Sequence, residues 1–264
     1  MSSDFLQKII AEKRDEVELR RRKTPDSILR ELASKRSPAR RFADALRNSQ
    51  NISIIAEMKK ASLSEGLIRE DYDVQKIARS YAANGASAFS ILTDEKYFHG
   101  NLEHLQSVSR LNLRPVLRKD FMVDSYQILE ARAFGADAIL LIVAALSKDE
   151  LSSLKSTSDE FGMDSLIEVH SEAELEIALQ IDAQLIGVNN RNLKTLKTSL
   201  EVTERIAPLV PRDRVCVSES GISSKADIVR LAPFGIQAVL VGTHLIRHQD
   251  PGPALAELVG VPKA

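Results

Sequence analysis

Ile54-Ile55-Ala56-Glu57-Met58-Lys59-Lys60 is an apolar run that ends in a carboxylate and two amines. In a β-strand successive side chains point to opposite faces, so Glu57 and Lys59 share one face. Two opposite charges on one face of a buried strand are costly unless that face opens into a polar site. A plain Glu–Lys ion pair at a strand end is the alternative, and this stretch alone does not exclude it.

Four later apolar runs end in polar or charged side chains in the same way. They are Val116-Leu117-Arg118-Lys119-Asp120, Leu166-Ile167-Glu168, Ile186-Gly187-Val188-Asn189-Asn190-Arg191 and Val215-Cys216-Val217-Ser218-Glu219-Ser220-Gly221. This repetition favours one shared site over isolated ion pairs.

Short β-rich runs alternate with longer helical patterns along the chain, which indicates a parallel sheet. Eight strands are predicted near 52–58, 87–93, 114–119, 137–143, 164–169, 184–189, 214–218 and 237–242. Predicted helices between them include 74–84, 125–134, 148–161, 171–180, 200–207 and 224–234.

A repeated glycine closes a helix and opens a strand at Gly85, Gly135 and Gly235, with Asp182 as a weaker copy. Glycine supplies the left-handed conformation that ends a helix. Eight βα units of this spacing predict an α/β fold, a (β/α)₈ TIM barrel with an N-terminal helical extension. A doubly wound open sheet is the alternative, but no Gly-rich dinucleotide turn follows the first strand.

Composition narrows the class of protein. The 264 residues are 44% hydrophobic and 28% charged, with a net charge of −1. This composition predicts a soluble domain without a membrane span. It has no excess of basic residues that would favour binding to nucleic acid. Cys216 is the only cysteine; with no signal peptide evident at the N-terminus, a cytoplasmic location is expected.

We expect a single domain over 1–264, with a helical extension over 1–50, a barrel core over 51–247 and a C-terminal helix over 248–264. The extension contains a charged helical run over 4–23, and Thr24-Pro25-Asp26 is a good helix start. Its many charges are expected to form a solvated face.

The active site of a TIM barrel lies at the C-terminal ends of its strands. The residues expected to converge there are Glu57, Lys59, Lys119, Glu168, Asn189, Arg191, Glu219 and Ser220. Charges gathered in one cavity shift one another's pKa values, as acid–base catalysis requires.

Two glycine turns predict a phosphate site. Ser220-Gly221 follows strand seven, and Gly242-Thr243 follows strand eight and opens a short helix. Glycine lets backbone N–H groups approach an anion, and phosphate sites of these barrels are frequent at strands seven and eight. Ordinary turn glycines are the alternative.

An ordered set of segments resembles the indole-3-glycerol phosphate synthase family. It comprises Ala56-Glu57-Met58-Lys59-Lys60-Ala61-Ser62-Leu63-Ser64, Ser90-Ile91-Leu92-Thr93, Tyr97-Phe98-His99-Gly100, Leu117-Arg118-Lys119-Asp120-Phe121, Leu166-Ile167-Glu168-Val169, Ile186-Gly187-Val188-Asn189-Asn190-Arg191-Asn192-Leu193, Ser218-Glu219-Ser220-Gly221-Ile222 and Leu240-Val241-Gly242-Thr243. The resemblance runs from about residue 4 to 247.

The resemblance implies a carbon–carbon lyase of tryptophan biosynthesis that uses no cofactor and no metal. Its substrate would be 1-(o-carboxyphenylamino)-1-deoxyribulose 5-phosphate, closed to indole-3-glycerol phosphate with loss of carbon dioxide and water. The expected partner is this phosphorylated small molecule, with no nucleic acid and no membrane. A monomer is expected, with other tryptophan-pathway enzymes as candidate partners.

The resemblance also implies roles for individual residues. Lys119 would be the general acid of ring closure, Glu168 the base of dehydration, and Lys59 a substrate contact and second acid. Glu57 and Asn189 would orient the substrate and the lysines. Arg191 would hold an anionic group or an oxygen, and Glu219 would tune the cluster of charges. The implied substrate-binding residues are Ser220, Gly221, Gly242 and Thr243 for phosphate, Ser62, and Phe98, Phe121, Leu140 and Leu193 for the aromatic ring. Ordinary core packing is the alternative for the last four.

The chain departs from the family pattern at Leu63, where relatives carry proline in loop one. Proline stiffens a loop, so Leu63 allows a more mobile loop and a changed wall near the aromatic ring. A catalytically silent or weakened barrel of the same family therefore stays open as an alternative. So does a sugar-phosphate isomerase barrel such as phosphoribosylanthranilate isomerase, which relies on a Cys/Asp or Asp/Asp pair.

We expect Leu63→Pro to lower the Michaelis constant by a few-fold at most, with turnover unchanged or slightly lower. Where the native φ suits proline, the backbone freedom that proline removes from the open loop corresponds to on the order of 0.4–1 kcal/mol, and closing the loop over substrate then costs less. Steady-state kinetics of both forms measure this. A raised Michaelis constant would instead assign Leu63 a productive contact with the substrate ring.

Overall fold

Ten β-strands are found in the computed structural model, which describes residues 4–63, 65–193 and 195–264. They are β1 (Ser53–Met58), β2 (Ala61–Ser62), β3 (Gly66–Leu67), β4 (Ala88–Leu92), β5 (Val116–Lys119), β6 (Ala138–Ile142), β7 (Asp164–Val169), β8 (Leu185–Asn189), β9 (Val215–Glu219) and β10 (Ala238–Val241). Eight of them close a parallel barrel in the order β1-β10-β9-β8-β7-β6-β5-β4, while β2 and β3 pair antiparallel. The predicted (β/α)₈ barrel is confirmed. The hairpin of β2 and β3 was not predicted, because each strand has only two residues.

Helices cover the barrel and precede it. They are α1 (Asp4–Lys23), α2 (Asp26–Ser34), α3 (Phe42–Arg47), α4 (Val74–Ala83), α5 (Glu95–Phe98), α6 (Leu102–Arg110), α7 (Ser125–Ala133), α8 (Lys148–Glu160), α9 (Glu172–Gln180), α10 (Glu201–Ile206), α11 (Lys225–Leu231), α12 (Thr243–Ile246) and α13 (Pro251–Ala256). Helix α1 has the predicted bounds, and α2 begins at Asp26, directly after Pro25. No helix among the described residues is long and apolar enough to cross a membrane.

The C-terminal helix is shorter than the predicted span of 248–264. It ends at Ala256, and the chain then returns to the start of the barrel. Gly260 has a left-handed φ of 82°, and the Ile52 amide donates to the Val261 carbonyl at 2.8 Å. An isolated bridge between Asn51 and Pro262 follows. Glycine and proline both oppose helix, so backbone pairing with the first strand replaces it.

The repeated glycines end their helices as predicted. Gly85, Gly135 and Gly235 have φ values of 100°, 90° and 83°. Asp182, the weaker copy in the sequence pattern, also takes a positive φ of 55°. Aspartate tolerates this conformation better than most residues, so the fourth turn keeps its geometry without glycine.

Strand alternation separates two hydrophobic layers. On β1, Ile54 and Ala56 pack outward with the helices, whereas Ile55 belongs to the inner layer. The inner layer also contains Leu117 of β5 and Leu166 of β7. A residue two positions after an inner one lies on the same face. The inner rows of β1, β5 and β7 therefore begin apolar and end in the charged residues Glu57, Lys119 and Glu168.

The N-terminal extension is attached through buried ion pairs. Lys13 of α1 is 2% exposed, and its Nζ lies 2.7 Å from Asp94 Oδ2 and 3.1 Å from Asp120 Oδ1. Burial opposes the ammonium charge, but Asp120, Asp94 and Glu16 outweigh it and raise the pKa of Lys13. The expectation of a solvated charged face is therefore wrong for Lys13, because its partners lie on distant barrel loops.

A second buried cation continues this network. Arg118 is fully buried, and its Nη2 lies 3.0 Å from Asp120 Oδ2 and 2.9 Å from Glu130 Oε2. Arg20 of α1 reaches the same Glu130 oxygen at 3.2 Å. The helical extension is thus linked by charge to the loop that directly follows β5.

We expect Lys13→Met to lower the free energy of unfolding by about 3–5 kcal/mol, because it leaves two buried carboxylates without this cation. Lys8→Met changes an exposed lysine on the same helix and serves as the control, with an effect within about 0.5 kcal/mol. Denaturant unfolding measures both. Equal stabilities for the two variants would contradict the ion-pair account.

Candidate active site

The strand-end residues meet at one mouth because the inner face of each strand leads to them. Glu57, Glu168, Asn189 and Glu219 are all less than 9% exposed, and Lys119 ends β5 on the same face as Leu117. Backbone pairing brings neighbouring strand ends into register, with Asn189 opposite Glu219. Short apolar strands thus place charge at one end of a closed barrel.

Lys119 is the centre of the cluster. Its Nζ lies 3.1 Å from Glu168 Oε2 and 3.4 Å from Glu219 Oε2. Across the mouth, Lys59 Nζ lies 2.8 Å from Glu57 Oε1. Three carboxylates therefore share two ammonium groups among largely buried side chains, where charge interactions are stronger than in water.

The two carboxylates beside Lys119 do not titrate alike. Burial raises the pKa of Glu219 to about 7, since Lys119 only partly offsets it and the charges of Glu168 and Glu57 add to it. Burial also opposes ionisation of Glu168, but Lys119, His170 and Asn189 outweigh it and lower the pKa. Glu168 therefore carries the negative charge, and Glu219 can hold a proton near neutral pH.

Lys119 itself stays charged. Burial would lower its pKa, but Glu168, Glu219 and Glu57 outweigh burial and raise it. A charged amine next to an ionised carboxylate provides a proton donor and a proton acceptor about 3 Å apart, which is what general acid–base catalysis requires.

Gly187 makes room for Glu219. A Cβ atom on Gly187 would lie 2.0 Å from Glu219 Oε1, so any larger residue would displace this carboxylate. The same oxygen is buried and makes no hydrogen bond to any described residue. An unpaired buried oxygen at the mouth is available to a ligand or a proton.

Two adjoining cavities contain every residue proposed for the site from sequence. We name the first, of about 520 Å³, the glycine lobe; it includes Glu219, Ser220, Gly221, Gly242 and Thr243. We name the second, of about 120 Å³, the aromatic lobe; it includes Ser62, Phe98, Phe121, Leu140, Glu168, Asn189 and Leu193. Glu57, Lys59, Lys119, Arg191 and Ser220 line both. A wider cavity of about 1040 Å³ between the N-terminal helices and α5–α7 contains none of them.

The backbone that forms the glycine lobe has an unusual conformation. Ser220 and Gly221 both have positive φ, 67° and 84°. A Cβ on Gly221 would lie 2.6 Å from Thr198 Cγ2, so the turn needs glycine for space as well as conformation. Buried Asn190 fixes this turn, because its Nδ2 donates to the Ser220 carbonyl at 2.9 Å. Asn190 is therefore structural, while Asn189 lines the cavity.

The aromatic lobe is walled by rings and aliphatic groups. The rings of Phe98 and Phe121 have centroids 6.4 Å apart at 40°. Leu63, the residue that departs from the family pattern, lies in this wall. The hydroxyl of Ser62 is buried there and has no hydrogen-bond partner among the described residues. Such a pocket suits a flat ring with a polar substituent.

Sequence reasoning missed several residues at the mouth. His170 Nε2 lies 3.4 Å from Glu168 Oε1, and Arg247, His244 and His248 line the glycine lobe. His170 stands two positions after Glu168, so the period of a strand could have placed it on the same face. In the described residues no group of His, Cys, Asp and Glu could hold a metal ion.

Comparison with solved structures gives the fold. 3-Hexulose-6-phosphate synthase superposes with a TM-score of 0.62 at 12% identity, covering 78% of this chain and 98% of that chain. Thiamine phosphate pyrophosphorylase from Pyrococcus furiosus gives a TM-score of 0.59 at 15% identity, covering 78% and 93%. At such low identity the likeness concerns the barrel alone.

Comparison of sequences is more specific. The family model described as indole-3-glycerol phosphate synthase matches residues 6–258. A protein of that name from Polaromonas sp. is 47% identical over 262 residues, covering 98% of this chain and 99% of the relative. Another from Burkholderia vietnamiensis is 47% identical over 259 residues, covering 97% and 99%. The chain that folds into this barrel and gathers Lys119, Glu168 and Glu219 at its mouth belongs to the indole-3-glycerol phosphate synthase family.

Proposed function

We propose that the mouth of the barrel converts 1-(o-carboxyphenylamino)-1-deoxyribulose 5-phosphate to indole-3-glycerol phosphate, the carboxy-lyase step of tryptophan biosynthesis. The observation that carries this is the position of Lys119. It lies between Glu168 and Glu219 at the junction of the glycine lobe and the aromatic lobe. The substrate has a phosphate at one end, an aromatic acid at the other, and a reacting carbonyl between them.

The glycine lobe suits the phosphate end. Its backbone at Gly221 and at Gly242–Thr243 presents N–H groups, and no side chain caps the start of α12. The hydroxyls of Ser220 and Thr243 add donors. Backbone amides in such turns bind anions. Lys59 and Arg191, which line both lobes, add positive charge for the phosphate or the carboxylate.

The aromatic lobe suits the carboxyphenyl ring. Phe98, Phe121, Leu140 and Leu193 provide apolar contact, and Ser62 provides a free hydroxyl. Placing the ring here brings its carboxylate-bearing carbon toward the carbonyl carbon at the junction. Holding two reacting atoms close is itself a large part of catalysis.

Ring closure needs a proton at the carbonyl oxygen. In this proposal the carboxylate-bearing ring carbon attacks the carbonyl carbon, and Lys119 gives its proton to the oxygen, forming a hydroxyl. Carbon dioxide then leaves and restores the aromatic ring. Lys119 suits this role because its three neighbouring carboxylates keep it charged.

Dehydration completes the indole. Glu168 accepts the proton that is lost, while the hydroxyl leaves with a further proton as water; Lys59 serves as the second acid. Glu57 holds Lys59 at 2.8 Å, and Asn189 supports Glu168. Glu219 tunes the charge on Lys119. All steps are proton transfers and heavy-atom bond changes, so the reaction needs no cofactor.

Rival functions fit less well. A Cys/Asp isomerase pair would need a reactive thiol, but Cys216 is 1% exposed and burial raises its pKa to about 12. A silent barrel would be expected to lose charged strand-end residues first, yet Lys119, Glu168 and Glu219 form one connected cluster.

We further propose a monomer in the cytoplasm that acts on this small molecule and on neither nucleic acid nor membrane. One chain contributes every residue of the proposed site, so a second copy is not needed to complete it. The buried free thiol of Cys216 suits a reducing compartment.

Lys119→Met tests the assignment of the acid. We expect turnover to fall by about two to four orders of magnitude with the fold intact, the usual contribution of a positioned acid or base. Product is followed by indole fluorescence, circular dichroism reports the fold, and Lys8→Met is the control. Wild-type protein that forms no indole product would contradict the proposed function. Full activity of Lys119→Met would remove Lys119 alone from the mechanism.

Gly242→Ala tests the phosphate end. The sequence alone suggests that a side chain here raises the Michaelis constant far more than it lowers turnover. In the structure the added Cβ would lie 2.2 Å from Glu57 Oε1, so Glu57 and its partner Lys59 must move. We therefore expect a raised Michaelis constant together with a turnover lowered about tenfold or more.

The control for Gly242→Ala is Gly162→Ala, where the added Cβ has no neighbour within 4 Å. Its positive φ of 69° costs stability, but both kinetic constants should stay at wild-type values. Unchanged turnover in Gly242→Ala would show that Glu57 moves without catalytic consequence.

A further inference from the structure

Glu168 has a buried contact that the proposed mechanism does not use. Lys119 lies against its Oε2, while Oε1 faces His170 Nε2 at 3.4 Å. His170 follows the end of β7, and its side chain is 14% exposed. We propose that His170 and Glu174 form an arm behind Glu168 that takes up and carries away the proton this carboxylate accepts. This inference rests on the proposed function, in which Glu168 is the base.

The imidazole of His170 is held in place from the other side. Its Nδ1 lies 3.2 Å from Glu174 Oε2, and its backbone N–H donates to the same oxygen at 2.8 Å. Glu174 lies in the first turn of α9, where its own N–H donates to Ser171 Oγ at 3.3 Å. A ring anchored at both backbone and Nδ1 keeps Nε2 directed at Glu168. Such a support fixes the orientation of a base.

Exposure increases along the arm. The side chain of Glu168 is 1% exposed, that of His170 14% and that of Glu174 23%. Glu168 therefore contacts solvent chiefly through its partners when substrate fills the aromatic lobe. A proton that it accepts needs a route to water, and His170 with Glu174 provides one.

The proton balance is simple. With Nδ1–H donated to Glu174, neutral His170 offers the lone pair of Nε2 to Glu168 Oε1. Glu168 takes one proton from the substrate and passes it to Nε2, which restores the carboxylate. The imidazolium then bridges Glu168 and Glu174 until Nδ1 releases its proton to water beside Glu174. Exchange through water then moves the remaining proton from Nε2 to Nδ1 and restores the starting tautomer. Only O–H and N–H bonds change, and no electrons are transferred between groups.

Several charged groups face His170. Glu168 on β7, Glu219 on β9 and Glu174 on α9 are carboxylates, and Lys119 on β5 lies beyond Glu168. Burial lowers the pKa of His170, but Glu174, Glu168 and Glu219 outweigh it and raise the pKa above 6.5. Since the neutral ring accepts the proton, turnover should increase with pH through this raised pKa.

His170→Asn and Glu174→Gln test the arm, with Glu172→Gln as the matched control on the same turn of α9. Glu172 pairs with Arg205 and is half exposed. We expect His170→Asn to lower turnover on the order of tenfold, less than the loss of a direct acid or base, with the Michaelis constant within about twofold. Glu172→Gln should match the wild type.

The pH profile of turnover distinguishes this arm from simple packing. Glu174→Gln removes an anion beside His170, so the acid limb should move to lower pH, whereas His170→Asn should lose that limb. The pKa of Glu219 also lies near 7, but the charges that shift it are those of Lys119, Glu168 and Glu57, whereas Glu174 contacts His170. An acid limb that stays in place in both variants would assign it to Glu219 and overturn the proposal.

Chemical rescue supplies a second readout. Added imidazole should raise the turnover of His170→Ala, because a diffusible base replaces a missing proton acceptor but does not restore lost packing. No rescue together with an unshifted profile in Glu174→Gln would overturn the arm, even if His170 variants fold poorly. If the wild type forms the indole product, and the His170 and Glu174 variants match its turnover and pH profile, only this inference fails. If the wild type forms none, the proposed function fails first.

Discussion

The position of charge on the inner face of the barrel is the constraint on which the rest of the structure depends. On β1, β5, β7, β8 and β9 the inner row carries apolar residues first and a charged or polar one last; Ile55 precedes Glu57, and Leu117 precedes Lys119. A slip of one residue in register would place these charges among the covering helices, where burying them unpaired would be very costly. Fold and site are thus specified by the same alternation.

Electrostatic balance then gives the two carboxylates beside Lys119 different proton affinities. One ammonium group cannot neutralise two buried carboxylates, so the environments of Glu168 and Glu219 shift their pKa values in opposite directions. The difference arises from extra partners. Glu168 has His170 and Asn189 in addition to Lys119, whereas Glu219 has an oxygen without a hydrogen-bond partner among the described residues. Two chemically identical side chains thus differ in proton affinity because their surroundings differ.

Sequence reasoning succeeded where the determining interactions are local. Strand period, the helix-ending glycines and even the substitute at Asp182 were predictable, because each depends on a few adjacent residues. It failed where the partner is distant in sequence. Nothing near Lys13 indicates that it is buried against Asp120, and nothing near Arg20 indicates its contact with Glu130. Family resemblance supplied the candidate residues, but the direction of each pKa shift required the packed structure.

The attachment of α1 has a consequence for synthesis on the ribosome. Arg20 and Glu130 are 110 positions apart, so the first helix emerges long before its partners on the barrel exist. Until then its basic side chains and apolar face remain available to other molecules, and chaperones recognise such surfaces. The long separation also increases the mean sequence distance of native contacts, which slows folding. We therefore expect α1 to dock late in folding, at the time when the mouth of the barrel is completed.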